Sequence, residues 1–334
     1  MPASRPIAAL SLLAASAVVL AGCSASDAAP ASSEPASSDA AAATTIQVED
    51  NFGTQTVPVD AQSVVAVDNR TFELLDAWGI ELSAAAVALM PDTIGYVDDA
   101  SIVDLGNHRE PDLEAVVAVE PDLIINGQRF SEYQEDFAAL APDAAIITLD
   151  PRDGEPFDDE LRRQVTVLGE VFGKQAEAEA LVAEFDAAIE RAAAAYDAAD
   201  TVMAVTTSGG EIGYLAPTVG RTLGPVFDIL GLTPALEVEG ASDDHQGDDI
   251  SVEAIAESNP AWILVMDRDA AVAADDPAYA PAADILENSE ALTGVTAVQE
   301  GNLVYLPADT YTNDGIQTYT EFFNAFADAL EAAN

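Results

Sequence analysis

Residues 112–129 read DLEAVVAVEPDLIINGQR, and residues 251–268 read SVEAIAESNPAWILVMDR. Leu113/Val252, Glu114/Glu253, Ala115/Ala254, Val116/Ile255, Pro121/Pro260, Ile124/Ile263 and Arg129/Arg268 all stand 139 residues apart. Each copy parses alike. Asp112 or Ser251 is placed to cap a helix, and a glutamate follows in the first turn, where the helix dipole favours negative charge. A short apolar helix comes next, ended by a proline that lacks the N–H a continuing helix would bond. The LII and WILV runs then read as strands buried on both faces. An arginine follows each strand within a few residues, where open parallel sheets form their ligand crevice. The chain reads as two copies of one α/β plan.

Outside the repeat, composition limits the partners. The 334 residues, with 20 Gly and 18 Pro, suffice for two domains with their own cores. The net charge of −49 comes from 11 Lys+Arg against 60 Asp+Glu. Such a surface repels nucleic acid and anionic lipid, and both are rejected as partners. It favours solubility and decides nothing about fold.

Residues 1–22 have a positive start at Arg5 and an apolar stretch from Ile7 to Leu20, the pattern of a signal peptide. Leu20-Ala21-Gly22-Cys23 resembles the lipobox of bacterial lipoproteins, in which the cysteine carries lipid. Cys23 is the only cysteine, so an intramolecular disulfide is impossible. Several acyl chains, at ~0.8 kcal/mol per buried CH₂, would anchor the protein to the cell membrane by its outer face. Residues 23–45 lack aromatic and large aliphatic side chains and read as a disordered tether of roughly 25 Å reach.

The folded part divides into an N-terminal α/β lobe (46–157), a helical spine (158–199) and a C-terminal α/β lobe (200–334). Residues 46–59 alternate around Asn51-Phe52-Gly53 and predict a hairpin. Residues 63–67 read as a buried strand leading into Asp68-Asn69-Arg70, and residues 131–140 as a helix. Leu161, Val165, Leu168 and Phe172 keep helical spacing, Gly173 marks a break, and 175–199 predicts a rod of ~25 residues and ~37 Å. Residues 206–213 read as a Ser/Gly turn, 237–249 as an acidic loop holding His245, and 315–333 as the closing helix.

Enzyme motifs are missing: there is no G-x-S-x-G elbow, no P-loop lysine and no H-E-x-x-H. His108 and His245 are the only histidines, which disfavours a dedicated receptor for a bare metal ion. Because cations are scarce, their placement is informative. Arg70, Arg129 and Arg268 follow strands, and Arg221 follows a Gly-rich loop in the second lobe. Each alone reads as a solvated surface arginine; four at crevice positions read as a site for an anion. Arginine also stacks on aromatic rings and forks onto oxygens, so the inferred ligand is anionic and aromatic.

The order of lipobox, tether, G-x-x-x-x-P-D-L-E-A-V, helical spine and a second N-P-x-x-I-x-V-x-D-R resembles the iron-siderophore class of ABC-transporter substrate-binding proteins, over residues 46–333. Gly220-Arg221, the D-H-x-G loop and V-M-D-R look most like members that bind ferric catecholates. The resemblance implies two Rossmann-like lobes joined by a long helical spine, the class III, helical-backbone periplasmic-binding-protein fold. It implies capture without covalent chemistry, no cofactor, and a monomer that passes a ferric siderophore to an ABC permease. Arg221, Arg268 and Arg129 match the arginines that contact the iron–catecholate. The family reads G-R-Q where this chain has Gly127-Gln128-Arg129. His245 and Tyr311 match residues that fill open iron positions, and Glu132 and Asp228 lie near the acidic residues that dock on the permease. Two readings remain beside it: a receptor for a hydroxamate siderophore, haem or a corrinoid, and a secreted hydrolase on a Rossmann-like scaffold.

Overall fold

The computed structural model describes residues 44–106 and 109–333. The signal peptide, Cys23, most of the tether and His108 lie outside the described residues. The opening hairpin pairs β1 (Thr45–Asp50) with β2 (Gly53–Pro58). The first lobe then builds a parallel sheet in the order β5-β4-β3-β6-β7, from β3 (Val64–Ala66), β4 (Ala84–Ala85), β5 (Val103–Asp104), β6 (Leu123–Asn126) and β7 (Ala145–Thr148). The second lobe repeats the plan with β8 (Thr201–Ser208), β10 (Thr233–Pro234), β11 (Trp262–Asp267) and β12 (Leu303–Tyr305), all parallel, in the order β10-β8-β11-β12. An antiparallel strand, β9 (Glu211–Tyr214), pairs with β8.

The two repeat copies are superimposable in their local chemistry. Asp112 accepts the Ala115 N–H and Ser251 that of Ala254, each capping its helix. The helices stop just before the prolines, at Glu120 (φ 46°) and Asn259 (φ 45°). Proline disfavours right-handed helical backbone in the residue before it, so each helix ends through that residue rather than at the proline. The β6 and β11 strands that follow are interior to their sheets and almost wholly buried.

Between the lobes run two helices, Phe157–Phe172 and Gln175–Ala195, separated by Gly173 in the left-handed region (φ 65°). The second has 21 residues rather than the expected rod to residue 199. Tyr196 leaves the helix in extended conformation, and its hydroxyl oxygen accepts the Thr233 N–H at 3.0 Å. The closing helix, Ile316–Ala333, returns to this spine rather than serving only its own lobe. Phe323 meets Phe185 at 5.9 Å, Tyr319 meets Phe157 at 5.3 Å, and Arg191 pairs with Asp328 and Glu331. One apolar core therefore runs from the first lobe through the spine to one face of the second sheet; a smaller cluster covers the other face.

Residues 206–213, expected as a turn, form most of a hairpin. Gly209 and Gly210 take positive φ (61° and 82°) and close a two-residue loop between β8 and β9, a turn that matches the twist of paired strands. The 131–140 helix begins as a 3₁₀ segment at Gln128 and becomes α-helical at Gln134. No helix among the described residues is long and apolar enough to cross a membrane.

Candidate ligand-binding site

Arg129 stands just past the end of β6. Gly127 is required there by close approach: a Cβ at this position would come within 2.6 Å of the Asp68 carboxylate. Gln128 then turns the chain in the left-handed region (φ 53°) and delivers Arg129. Arg221 leaves a tight curl of residues 216–224. Here a Cβ on Gly220 would come within 2.5 Å of the Ala216 nitrogen, and Thr222 is left-handed (φ 65°). Arg268 opens a short helix directly after β11, capped by Asp267, which accepts the Ala270 N–H at 3.0 Å. Tyr311 lies on the turn before the closing helix, knotted by the Thr310 N–H to Pro307 and Asn313 N–H to Thr310 carbonyl bonds.

These four side chains meet. The guanidinium carbons of Arg129, Arg221 and Arg268 lie 6.0, 4.9 and 4.8 Å from the centre of the Tyr311 ring. Burial pushes the Tyr311 phenol up, but hydrogen bonding from Arg268, the charge of Arg221 and hydrogen bonding from Arg129 outweigh it. The net shift is below the ordinary tyrosine value, so the phenol ionises more readily than a free tyrosine.

Carboxylates are nearly absent from this group. Arg268 touches Asp269 at 3.2 Å and the Ser208 hydroxyl at 3.3 Å. Among the described residues, no carboxylate lies within ion-pair distance of Arg129 or Arg221. Like charges gathered round one ring repel one another. The face and phenol of one tyrosine, with Asp269 beside Arg268, offset only part of that repulsion, so the group keeps positive charge that attracts an anion.

Arg70 does not join the group. It donates to Asp314 at 3.1 Å, lies 3.8 Å from Asp150, and its guanidinium covers Phe157. His245 is half exposed beside Asp244, on a loop whose neighbour Gln246 donates to Ser208 at 3.2 Å, the same hydroxyl Arg268 uses. Glu132 is exposed on the 3₁₀ segment after Arg129, and Asp228 is exposed on the helix after Arg221, where it accepts from Thr218 at 3.0 Å. Sequence reasoning missed the left-handed backbone at Gln128 and Thr222, beside two of the arginines, and the carboxylates that claim Arg70. Left-handed backbone in a residue with a side chain leaves no compositional mark.

Two α/β lobes braced by a helical spine thus bring cations from both lobes to one ring. The family model described as periplasmic binding protein matches residues 64–310, and the chain belongs to that family. It is similar to the petrobactin-binding protein YclQ of Bacillus subtilis, with 25% identity over 84% of this chain and 86% of that protein. It is also similar to the ferric-anguibactin-binding protein FatB of Vibrio anguillarum, with 28% identity over 80% of this chain and 81% of that one. Among solved structures, a TroA-like periplasmic binding protein from Xylanimonas cellulosilytica matches with a TM-score of 0.72 and 29% identity, over 87% of this chain and 99% of that one. The expected architecture, two α/β lobes on a helical backbone, is the one found.

Proposed function

We propose that the protein captures a ferric siderophore of the catecholate class outside the cytoplasm and delivers it to the permease of an ABC importer. The observation that carries this reading is the pair Arg129 and Arg221. They are cations in a strongly acidic chain, come from opposite lobes, lack a carboxylate partner among the described residues, and face one aromatic ring. An iron–catecholate complex is anionic and presents flat aromatic edges, which guanidinium groups both neutralise and stack upon. The relatives named for petrobactin and ferric anguibactin support a siderophore as cargo. Tyr311, whose ionisation the arginines ease, and His245 are oxygen and nitrogen donors for iron positions that a siderophore leaves open. Capture by a monomer tethered through lipid on Cys23, with Glu132 and Asp228 meeting the permease, completes the proposal.

Trp78 and Trp262 supply the signal for the test, because an iron chelate that absorbs in their emission range quenches them on binding. Ferric catecholates should quench at lower concentration than ferric hydroxamates. Arg221→Ala combined with Arg268→Ala should weaken ferric-catecholate binding at least ~100-fold, as expected when charge-assisted contacts to a buried anion are removed. An unchanged affinity in that double variant would sink the assignment.

A further inference from the structure

Gln128 and Thr222 are the chain neighbours of Arg129 and Arg221, and both occupy the left-handed region, at φ 53° and 65°. Side-chain-bearing residues hold that conformation only when their surroundings impose it. For Gln128 the surroundings are two carboxylates. Its backbone N–H donates to Asp150 Oδ1 at 2.7 Å, and its side-chain amide donates to Asp314 Oδ1 at 2.9 Å. For Thr222 they include the Tyr319 hydroxyl, buried, which donates to the Thr222 carbonyl at 2.8 Å.

Asp314 and Tyr319 belong to one short stretch of chain, and that stretch begins at Tyr311. The first lobe grips it firmly. The second oxygen of Asp314 accepts from Arg70 at 3.1 Å. Gly315 lies so close to the Arg70 backbone that a Cβ would come within 2.7 Å of its carbonyl oxygen. Residues 311–319 therefore carry the ring on which the arginines converge and one anchor for each of the two arginine loops that come from different lobes.

We propose that Gln128, Asp314 and Tyr319 are positioning residues: the Gln128–Asp314 and Tyr319–Thr222 hydrogen bonds hold Arg129 and Arg221 at the Tyr311 ring, and so set the arrangement in which an anionic ligand is received. The part concerning the ligand rests on the function proposed above; the part concerning Arg129, Arg221 and Tyr311 does not. A contact that only stabilised the fold would change the melting temperature and leave the environment of Tyr311 alone.

Two mild substitutions test it. Gln128→Asn tolerates left-handed backbone but is too short to reach Asp314. Tyr319→Phe keeps the ring and removes the donor. Tyr311 ionisation is read from phenolate absorbance, as the difference between each protein and the same protein carrying Tyr311→Phe. Affinity is read with iron(III) complexed by three catechols as the probe. In both variants the ionisation of Tyr311 should move up towards the ordinary tyrosine value, since a guanidinium has withdrawn, and probe affinity should fall about fivefold, a fraction of a charge-assisted hydrogen bond. Unmoved ionisation in both variants overturns the proposal. If ionisation stays put while affinity falls, the residues touch the ligand themselves and the positioning role is again overturned. If ionisation moves but the probe binds as before, or binds none of the proteins, the latch stands and the ligand assignment of the arginine group falls.

Discussion

Arg70 and Arg129 follow strands of the same sheet, β3 and β6, yet the molecule uses them in opposite ways. Arg70 is enclosed by Asp314 and Asp150, within a buried knot where Gln164 also donates to Asp68 at 2.9 Å. Arg129 faces a tyrosine ring, as Arg221 and Arg268 do from the other lobe. Elsewhere the acidic chain consumes its cations in the same manner as Arg70. Arg152 and Arg163 both grip Glu160. Burial pushes that carboxyl up, and the two arginines outweigh it and hold it below the usual range. Arg162 reaches Asp158, Asp159 and Asp186. Position after a strand does not separate the two sets; their surroundings do, since Arg70 lies between two carboxylates whereas Arg129 and Arg221 have none within ion-pair distance among the described residues.

The strongest test of this contrast removes the enclosed cation. Arg70→Met leaves Asp314, Asp150 and Asp68 together without their counter-charge. Breaking a buried pair by deleting one partner costs about 3–5 kcal/mol. Urea unfolding should show a loss of that order. Ligand affinity of the remaining folded protein should fall far less than in the Arg221/Arg268 double variant, because Arg70 reaches the arginine group only through Asp314 and Asp150, the carboxylates that hold Gln128. A variant that stays stable but loses binding as severely as the Arg221/Arg268 pair would place Arg70 in the ligand site and erase the distinction.

Asp68 offers a titration that separates the same two regions. Burial first, then the charge of Asp150, push its carboxyl up to about 7, while Arg70 works against them. The folded pKa therefore lies above the unfolded value near 3.8, and the folded state binds the proton more tightly. Stability contributed by this group is present in full below pH 3.8 and declines as pH rises towards about 7, by at most about 1.4 kcal/mol per unit. Asp68→Asn imitates the protonated form. Its stability relative to the parent should improve by about 2 kcal/mol between pH 5 and pH 7 and then level off. Parallel curves for the two proteins would mean that Asp68 is ionised in the fold throughout this range.

How much of this was legible beforehand follows from the range of the interactions. The 139-residue repeat predicted caps at Asp112 and Ser251, and both side chains accept the expected N–H groups, because capping is settled within one helical turn. The buried strands and the spine follow from apolar spacing, and the two-lobe architecture from their order. Arg129, Arg221, Arg268 and Tyr311 could be named from motif resemblance, and they do meet. Arg70 could not be separated from them, since the carboxylates that enclose it stand at Asp150 and Asp314, far away in the chain. The return of the closing helix to Phe185 was equally hidden: its apolar stripe announces a buried face but not the partner. Left-handed backbone at Gln128 and Thr222 is imposed by tertiary contacts, and no propensity encodes it.

Thr222 gives the smallest effect and the finest distinction. A β-branched residue in left-handed backbone costs about 1–2 kcal/mol, whereas glycine accepts the conformation freely. Glycine loses about 0.5–1 kcal/mol in chain entropy on folding, so Thr222→Gly should stabilise the protein by about 0.5 kcal/mol. The Thr222 hydroxyl oxygen is buried and makes no hydrogen bond, so its removal leaves no partner stranded. The bond from Tyr319 goes to the Thr222 carbonyl and survives the substitution. Affinity for a ferric catecholate should therefore hold in Thr222→Gly and drop in Tyr319→Phe, although both changes touch the same turn. If the glycine variant gains stability and loses affinity, the stiffness of the threonine itself keeps Arg221 in place, and backbone strain rather than the Tyr319 contact separates the arginines of the crevice from those of the core.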